Sequence, residues 1–411
     1  MNTKNEKVAV FIQSLKGGGA ERSTVNLVNA LAREGISVDL LVADIEGVFT
    51  GQVSKRVNLV KIEKIGFWKA VFSISIRNLF YLFLLFLTPG SPKPLRAIPA
   101  IADYLKQSKP SVLMSVLAYG NVASVVAADR VGLTTRVVIG QRNYLSKEYE
   151  RRAGWRRTLV KPALGYFYRK ASVIVSVAKA AATDLCETLA IPEDRVVTIY
   201  NAVANAELHE QSREAMDHPW FNHKDRPVIL AAGKLKPQKD FVTLLHAFQN
   251  VRREMDARLV ILGDGPELGK LKQLAADLNV QDDVSFEGFV VNPFKFMRNA
   301  DLFVLSSAFE GLPGVLIQAL ACGCPVVSTD CPSGPHEILE AGDYGDLVEV
   351  GNPDALATAI IHNLTVSHDR DRLRRRGADF SEGAAVSNYR NVLFDSPKNQ
   401  YTPHLQPVSA E

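Results

Sequence analysis

The sequence predicts an α/β protein made of two successive doubly wound domains, each with a parallel sheet covered by helices on both faces. Short, wholly apolar segments recur along the 411 residues and are separated by helix-length stretches, a pattern typical of buried parallel strands. The pattern occurs twice, with a polar stretch between the two series. The length suits two domains, and a composition of 47% hydrophobic and 22% charged residues is ordinary for a globular enzyme.

The predicted strands form one series in each half of the chain. The first series is residues 8–14, 37–43, 111–116, 135–140, 171–177 and 195–200, and the second is residues 226–233, 257–263, 283–288, 301–307, 324–330 and 346–350. We therefore expect an N-terminal domain over 1–203 and a C-terminal domain over 204–380. We expect a helix over 381–395 to cross back to the N-terminal domain, and a flexible tail over 396–411 because that stretch lacks an apolar period.

Residues 68–88 fit neither series. The segment approaches the length of about 20 apolar residues that a membrane-spanning helix needs, and residues 79–87 are wholly apolar. A central arginine such as Arg77 opposes insertion by about 2.5–3.5 kcal/mol, so a spanning helix is disfavoured. Two alternatives stay open: a helix buried against the first sheet, or a helix in a membrane interface with Lys69 and Arg77 reaching towards water.

The formal net charge of +4 conceals an uneven distribution. Residues 1–205 carry 28 lysines and arginines against 15 aspartates and glutamates, a net charge of +13. Residues 206–411 carry 20 against 29, a net charge of −9. Such a basic half favours an anionic partner, either a membrane surface or nucleic acid, unless the charges are scattered over solvated surface.

The cysteines and the N-terminus argue against two other classes of protein. Four cysteines are too few for a disulfide scaffold, and the C-x-C-x6-C spacing of Cys322, Cys324 and Cys331 fits no familiar zinc site. We expect all four to be reduced thiols. The first residues lead directly into a strand without the apolar segment of a secretory signal, so we expect a cytoplasmic protein.

A loop that could approach a ligand follows the first strand of each half. In the first, residues 17–19 are glycines that precede a helical pattern, so backbone amides could contact a phosphate or a sugar. The loop is neither a P-loop nor a dinucleotide fingerprint, which would need glycine where Arg22 stands. In the second, GKLKPQKD over 233–240 places lysines at a strand end, which suits a diphosphate. A plain turn and a solvated loop are the respective alternatives.

The most informative segment is SSAFEGLPGVLIQALACGCPVVSTD, residues 306–330. A strand ends at Ser307, Glu310 leads into a Gly-Leu-Pro-Gly turn, and a helix begins at Gly314. Glu310 and Gln318 are eight residues apart, so both could line a pocket over the N-terminus of this helix. Two hydroxyl-binding side chains around anion-binding amides are what a nucleotide sugar requires.

This segment closely resembles the signature of the retaining family-four glycosyltransferases of the GT-B fold. That signature is a Glu, seven residues, a second Glu, and a helix of small residues followed by Gly-x-Pro-Val-Val. The loops GGGAER, GKLKPQKD and ILGDGPE, with VSFEGFV and FSEGAAVSNY, are also similar to this family, collinearly over about residues 8–395. The resemblance implies a nucleotide-sugar transferase with two Rossmann-like domains facing across a cleft.

The resemblance also implies roles for matching residues. Glu310 would bind hydroxyls of the donor sugar and support charge at its anomeric carbon, and Gln318 would replace the second Glu on the ribose diol. Lys239 would bind the diphosphate, and Lys234, where Arg is common, would keep a second cation without the planar fork. The other implied donor contacts are Gly18, Gly19, Gly233, Phe289, Gly314, Val315 and Leu316.

Two departures from the family bear on mechanism. Many relatives place a His near the acceptor, but the equivalent stretch here is Gly140-Gln141-Arg142-Asn143, and residues 1–208 contain no histidine. Arg142 and Asn143 are therefore the acceptor-side candidates, and the departing diphosphate would take the acceptor proton. No metal is expected, because Lys239 and helix amides could stabilise the diphosphate and the only Asp-x-Asp, residues 369–371, lies in a charged helical pattern.

The sequence therefore predicts retaining, metal-independent transfer of a hexose-type unit from a nucleotide sugar, with UDP as the expected nucleotide and no cofactor. The expected acceptor is a lipid-linked saccharide or a growing polysaccharide, such as lipopolysaccharide or capsule. An anionic membrane surface, rather than nucleic acid, is the expected partner, with the protein peripheral at the inner face of the cell membrane. The alternatives are a soluble glycosyltransferase with a small-molecule or protein acceptor, an epimerase for which acid/base groups are lacking, and a weakly active nucleotide-sugar-binding subunit, which Gln318 favours.

Overall fold

A computed structural model describes residues 6–64, 76–86, 93–132, 134–150, 154–222 and 224–394. The chain divides into two compact units. The first comprises the chain up to Ala202 together with the stretch that begins at Glu382, and the second runs from Val203 to Ser381. The tail expected over 396–411 and parts of the segment 68–88 lie outside the described residues.

The first unit contains a seven-stranded parallel sheet in the order β3-β2-β1-β4-β5-β6-β7. Its strands are β1 Lys7–Ser14, β2 Ser37–Asp44, β3 Asn58–Lys61, β4 Val112–Val116, β5 Arg136–Gln141, β6 Val173–Ser176 and β7 Val196–Thr198. In β1, Val10 lies opposite Leu40 of β2 and Met114 of β4. The strand order therefore reverses between β1 and β4.

Helices cover both faces of this sheet. They are α1 Gly19–Arg33, α2 Ile76–Phe86, α3 Ile98–Ser108, α4 Ala118–Val131, α5 Leu145–Glu150, α6 Gly154–Tyr168 and α7 Lys179–Leu189. Successive residues of a strand point to opposite faces, and β1 is apolar at both. Ala9 and Phe11 pack into one hydrophobic cluster, whereas Val8 and Val10 pack into the other.

The second unit contains a six-stranded parallel sheet in the order β10-β9-β8-β11-β12-β13. Its strands are β8 Val228–Ala232, β9 Arg258–Leu262, β10 Val284–Gly288, β11 Leu302–Leu305, β12 Val326–Thr329 and β13 Asp346–Val348. Its helices are α8 Ala206–Gln211, α9 Pro219–Asn222, α10 Phe241–Glu254, α11 Leu268–Asp277, α12 Phe294–Asn299, α13 Gly314–Ala321, α14 Pro335–Ile338, α15 Pro353–Thr365 and α16 Arg370–Ala378. Here the order reverses between β8 and β11.

The last described helix, α17 Glu382–Phe394, belongs to the first unit. Val386, Tyr389 and Val392 are buried in the same cluster as Val8 and Val10 of β1. An ion pair between Arg33 of α1 and Glu382 joins the starting end of this helix to the same unit. The C-terminal helix therefore completes the core of the N-terminal sheet.

Helix α2 covers the described part of the segment 68–88, and its two sides differ. Leu82 and Leu85 are fully buried in the core of the first unit, and Tyr81 stacks on Tyr166 of α6 with ring centroids 4.0 Å apart. Phe80 and Phe83 are 64% and 57% exposed. The helix is thus buried along one side and apolar but exposed along the other. None of the described helices is both long enough and apolar enough to span a bilayer.

The predicted fold class is confirmed, since each unit is a parallel sheet between helices. Two features differ from the sequence-based expectation. Strand β3 was not predicted, because its four residues NLVK are partly exposed and lack an apolar run. The polar stretch between the two series, residues 204–225, contains the short helices α8 and α9, for which no helix was predicted.

Candidate active site

The first loop of the second unit brings Lys239 back over the end of strand β8. After Ala232 the chain passes through Gly233 and reaches a single 3₁₀ turn at Pro237–Lys239, and α10 follows. A Cβ at Gly233 would lie 3.2 Å from Cε of Lys239. Glycine at this position therefore leaves room for the lysine side chain to lie against the strand end.

Lys239 forms an ion pair with Glu310. Its Nζ lies 2.5 Å from Oε1 of Glu310, and the side chains are only 14% and 9% exposed. The hydroxyl of Ser307 donates to the same Oε1 at 2.6 Å. Lys239 follows β8 and Glu310 follows β11, so the pair lies where the strand order reverses. Open α/β sheets bind their ligands at such points.

Hydrogen bonds between the two loops fix the geometry of this pair. Gln238 Nε2 donates to the carbonyl of Phe309 at 2.8 Å, and the amide of Ala308 donates to the carbonyl of Gln238 at 2.9 Å. Ser306 Oγ donates to the carbonyl of Lys239 at 2.9 Å. Because each loop forms hydrogen bonds with backbone groups of the other, the backbone at Lys239 and Glu310 is fixed in place.

Helix α13 begins close behind Glu310 in the chain and has no acidic residue in its first turn. Its N-cap, Pro313, offers no side-chain acceptor. The amide of Leu316 donates to the carbonyl of Pro313 at 3.0 Å, so the amides of Gly314 and Val315 are the better candidates for an anion than that of Leu316. A helix N-terminus with these amides favours a phosphate group.

Not every predicted donor-binding residue contacts the Lys239–Glu310 pair within the described part of the chain. Gln318 is buried on α13, with 7% exposure, and none of the described hydrogen bonds involves its side-chain amide. Lys234 is exposed and has no ion pair within the described part of the chain. Phe289 is 50% exposed and follows Gly288, whose φ is 71°.

In the first unit, the predicted glycine loop connects β1 to α1. Gly17 has a φ of 126°, a conformation that favours glycine, and Gly18 is the N-cap of α1. A Cβ added at Gly18 would lie 2.5 Å from a carboxylate oxygen of Glu21. A Cβ added at Gly19 would have no neighbour within 4 Å among the described residues. The loop therefore exposes backbone at the carboxyl end of β1.

The acceptor-side candidates Arg142 and Asn143 follow β5 and line a cavity of about 190 Å³ in the first unit. Arg142 is 9% exposed, and its Nη1 donates to Oδ1 of Asn201. The carbonyl of Asn143 accepts from Gln141 Nε2 at 2.9 Å, and Gln141 Oε1 accepts from the hydroxyl of Tyr168. Sequence reasoning named the stretch around Gln141 but missed the cavity residues Gln13 and Tyr119. The alignment of strand ends in a parallel sheet was the signal that could have found them.

All four cysteines are buried and unpaired. Burial raises the pKa of Cys322 and Cys331 to about 12, which keeps these thiols protonated at neutral pH. Asp369 of the Asp-x-Asp stretch caps α16 by accepting from the amides of Asp371 and Arg372. Among the described residues, no group of three or more His, Cys, Asp or Glu side chains is placed to hold a metal ion.

Both halves of the chain match models of known protein families. The model described as Glycosyltransferase Family 4 matches residues 17–206, and the model described as Glycosyl transferases group 1 matches residues 212–380. The two matches meet close to the division between the two structural units.

Two curated proteins are similar over almost the whole chain. An N-acetylgalactosamine-N,N'-diacetylbacillosaminyl-diphospho-undecaprenol 4-alpha-N-acetylgalactosaminyltransferase of Campylobacter jejuni is 28% identical over 90% of this chain and 92% of its own length. The lipopolysaccharide core biosynthesis glycosyltransferase LpsE of Rhizobium meliloti is 29% identical over 93% of this chain and 97% of its own length.

Solved structures match over a similar extent. Anabaena HepE in complex with UDP and glucose superposes with a TM-score of 0.73 at 17% identity, covering 95% of this chain and 100% of HepE. The apo form of the lipopolysaccharide outer core galactosyltransferase WaaB superposes with a TM-score of 0.67 at 18% identity, covering 94% of this chain and 99% of WaaB. At these identities the structural likeness establishes the fold.

Proposed function

Because the chain is a glycosyltransferase with the GT-B fold, we propose that it transfers a hexose-type sugar from a nucleotide sugar, with UDP as the nucleotide, and that the anomeric configuration is retained. The observation that carries this proposal is the buried Lys239–Glu310 pair at the point where the strand order of the second unit reverses. A cation and a carboxylate side by side suit a substrate that carries both an anionic diphosphate and a hydroxyl-bearing sugar.

The chemistry assigned to the pair follows from where charge develops. As the bond between the anomeric carbon and the diphosphate oxygen breaks, negative charge grows on the diphosphate and positive charge grows on the sugar. Lys239 Nζ and the amides of Gly314 and Val315 stabilise the first, and the carboxylate of Glu310 stabilises the second. The acceptor oxygen bonds to the anomeric carbon on the face that the diphosphate leaves, and the acceptor proton passes to the departing diphosphate oxygen.

We assign the remaining donor contacts to side chains near this pair in sequence. Gln318 would bind the ribose diol through its side-chain amide, and the exposed Lys234 would add a second cation for the diphosphate. The exposed ring of Phe289, with the backbone around Gly288, would frame the base. No metal ion or cofactor takes part in this proposal, because Lys239 and the helix amides perform the stabilisation that a cation would provide.

For the acceptor, we propose a lipid-linked saccharide or a growing polysaccharide at the cytoplasmic face of a membrane. The names of the two curated relatives support this choice, since one acts on a diphospho-undecaprenol-linked saccharide and the other in lipopolysaccharide core biosynthesis. Peripheral binding to an anionic membrane is supported by the net charge of +13 on residues 1–205 and by exposed Phe80 and Phe83 on α2.

A nucleotide-release assay tests the function. The purified protein is incubated with a panel of UDP-sugars, with and without extract of bacterial membranes, and free UDP is measured. We expect one donor to give UDP release that the extract accelerates, together with the transfer of labelled sugar to the lipid fraction. Acceleration by a water-soluble acceptor alone would favour the soluble alternative. A donor that binds but releases no UDP under any condition would favour the binding subunit that Gln318 suggests.

A further inference from the structure

The acceptor-side cavity lies at the point where the strand order of the first sheet reverses. Gln13 near the end of β1, Leu117 after β4 and Arg142 after β5 all line it. Ligands of open α/β sheets bind in the crevice at this position. Three separate chain segments thus converge on one cavity within a single unit.

Arg142 lines this cavity and has an unused hydrogen-bonding edge. Its Nε and Nη2 are buried and have no hydrogen-bond partner among the described residues, whereas Nη1 donates to Asn201. The N–H groups of Nε and Nη2 lie on the same edge of the guanidinium and form a fork that bonds two oxygens of one oxyanion. Since buried polar groups almost always have partners, an unpaired fork on a permanently charged side chain is a group that a bound anion could complete.

Helix α4 supplies a second, independent set of donors to the same cavity. Its first residues Ala118, Tyr119 and Gly120 line the cavity, and the first intrahelical hydrogen bond runs from the amide of Asn121 to the carbonyl of Leu117. Leu117 is the N-cap, has a φ of 74° and offers no side-chain acceptor. The first amides of this 14-residue helix therefore lie at the cavity, and they come before the first intrahelical hydrogen bond. Amides in this position favour the binding of an anion.

The start of α4 is also fixed relative to Arg142. Asn121 Nδ2 donates to the carbonyl of Gly140 at 3.0 Å and to the hydroxyl of Tyr168 at 2.9 Å, and Ser115 Oγ donates to Asn121 Oδ1 at 3.0 Å. Because Gly140 lies two residues before Arg142 in the chain, this buried network fixes the start of α4 against the strand end that carries Arg142.

We propose that this cavity binds a phosphate or diphosphate group of the acceptor through the Nε and Nη2 fork of Arg142 and the N-terminal amides of α4. The Arg142 fork and the helix amides together offer more hydrogen-bond donors than the two oxygens of a carboxylate can accept from. They therefore suit a phosphate group better than a carboxylate. Glu148 also lines the cavity, and repulsion from its carboxylate would favour an anion position close to Arg142 and the start of α4. That the anion belongs to the acceptor rests on the proposed transferase function; that the cavity binds an anion does not.

Calorimetric titration with inorganic diphosphate tests the site. The full chain is first saturated with UDP, which occupies the proposed phosphate site near Lys239, so that any remaining binding belongs elsewhere. We expect diphosphate to bind under these conditions and Arg142→Gln to weaken it by at least about tenfold, as for the loss of a charge-assisted hydrogen bond. The matched control is Arg130→Gln, which removes an exposed arginine from the last turn of the same helix and should leave the affinity unchanged.

Thermal unfolding separates a binding role of Arg142 from a structural one. Diphosphate should raise the melting temperature of the wild-type protein but not that of Arg142→Gln, and the unliganded variant should be at least as stable as wild type because it lacks an unpaired buried charge. Unchanged diphosphate affinity in a folded Arg142→Gln protein, or no diphosphate binding to the wild-type protein saturated with UDP, would overturn the proposal.

A kinetic experiment distinguishes an acceptor phosphate from a free anion. At saturating donor, diphosphate should inhibit transfer competitively with the acceptor in membrane extract. Inhibition that more acceptor does not relieve would make the free anion the ligand and overturn the acceptor assignment. If no donor supports transfer although diphosphate binding still depends on Arg142, the proposed function fails and the anion site stands.

Discussion

Lys239 and Glu310 are each other's charged partner in the described structure. The two charges are 2.5 Å apart and mostly buried, and a buried charge that loses its partner is costly. A bound donor would change this balance, because its diphosphate can replace Glu310 as the partner of Lys239 while the sugar hydroxyls bond to Glu310. In the proposed function, the pair is electrostatically complete without substrate and exchanges partners when the donor binds.

We predict that Lys239→Ala lowers kcat by about 10²–10³-fold, as expected for the loss of one preorganised charge that stabilises the transition state. The variant should still fold, with a free energy of unfolding lower by about 1–3 kcal/mol because the carboxylate of Glu310 loses a buried partner. Steady-state kinetics and urea unfolding measure the two effects. Lys239→Arg should recover part of the activity, and Lys270→Ala, an exposed lysine of α11, should behave as wild type. An unchanged kcat/KM in folded Lys239→Ala protein would refute the diphosphate assignment.

In the proposed mode of donor binding, Gln318 holds the ribose of the nucleotide. We predict that Gln318→Ala raises the Kd for UDP by about tenfold, the effect of losing one net hydrogen bond of about 1–1.5 kcal/mol, whereas Gln318→Glu keeps the affinity within a few-fold because a carboxylate also accepts from a diol. Equilibrium binding of UDP measures both, with Gln273→Ala on the exposed face of α11 as the control. Wild-type affinity in Gln318→Ala would mean that the ribose is bound by other groups.

The sequence predicted these residues individually but not how they meet. A lysine-rich loop at a strand end and a carboxylate before a helix are local patterns, and both are readable because glycine and proline mark the turns around them. The contact between Lys239 and Glu310 joins positions 71 apart in the chain, and it depends on which strand ends become neighbours. The unpaired edge of Arg142 is likewise a property of packing, since it follows from what surrounds the guanidinium and not from its place in the sequence.

At the level of secondary-structure elements, Asp39 of β2 joins three neighbours on the first sheet. Its carboxylate pairs with Lys7 of β1 at 2.8 Å and accepts from Asn58 of β3 at 3.1 Å and from the hydroxyl of Tyr104 of α3. Burial by itself raises the pKa of Asp39, but the hydrogen bonds from Lys7, Tyr104 and Asn58 outweigh it and hold the pKa below its ordinary value of 3.8. Asp39 thus anchors the short strand β3 and helix α3 to the sheet.

We predict that Asp39→Asn lowers the free energy of unfolding at pH 7 by about 1–3 kcal/mol, because buried donors lose a charged acceptor. Since the folded-state pKa of Asp39 lies below the unfolded value, its contribution is present above about pH 4 and is lost as the pH falls through the folded-state pKa. The stability difference between wild type and variant should therefore shrink towards pH 3. Urea unfolding across this pH range measures it, and a difference that grows on acidification would contradict the assignment.

Elements with strong apolar runs were predictable, and elements that depend on their neighbours were not. Strand β1 is buried from Val8 to Ile12 and was predicted to within one residue of its start. Strand β3 contains two partly exposed and two exposed residues, so its place in the sheet depends on backbone pairing with β2 and on the bond from Asn58 to Asp39. Helix α2 is apolar on nearly all sides, and its tertiary contacts, among them the packing against α6 and the bond from Asn78 to Asp129 of α4, determine which side is buried.

At the scale of the whole molecule, the same strand arrangement is used twice. Each sheet reverses its strand order beside its first strand, and each reversal carries a candidate anion site, built on Lys239 in the second unit and on Arg142 in the first. Both sites use a cation together with the N-terminus of a helix. If both sites bind phosphate as proposed, Lys239, Arg142 and the helix amides supply the positive groups that hold it.

We predict from this arrangement that transfer does not require a divalent metal. Activity measured in excess EDTA should equal activity in buffer with Mg²⁺, because Lys239 and the amides of α13 stabilise the leaving diphosphate. A protein passed over a chelating resin is the control for residual metal. Loss of activity in EDTA that Mg²⁺ or Mn²⁺ restores would show that a cation takes part in stabilising the leaving group.

The charge of the first half of the chain and the exposed aromatic rings of α2 suit contact with an anionic membrane. Residues 1–205 carry a net charge of +13, and α2 presents Phe80 and Phe83, which are 64% and 57% exposed, while Leu82 on its other side is fully buried. Exposed aromatic rings on a basic unit suit insertion into the headgroup region of an anionic leaflet. We predict that the protein sediments with phosphatidylglycerol vesicles but not with phosphatidylcholine vesicles, and that binding weakens with salt because exposed charges are screened within about 8–10 Å at physiological ionic strength.

Substitutions on the two sides of α2 separate docking from folding. Replacing Phe80 and Phe83 with Ser should abolish sedimentation with anionic vesicles and leave the melting temperature nearly unchanged, because both rings are mostly exposed in the described structure. Leu82→Ala should do the opposite, keeping membrane binding while lowering the free energy of unfolding by about 2–5 kcal/mol, the cost of truncating a core leucine. If the wild-type protein stays wholly in the supernatant with anionic vesicles at low salt, the exposed side of α2 does not dock on a membrane, and a soluble acceptor becomes the better explanation of the transferase.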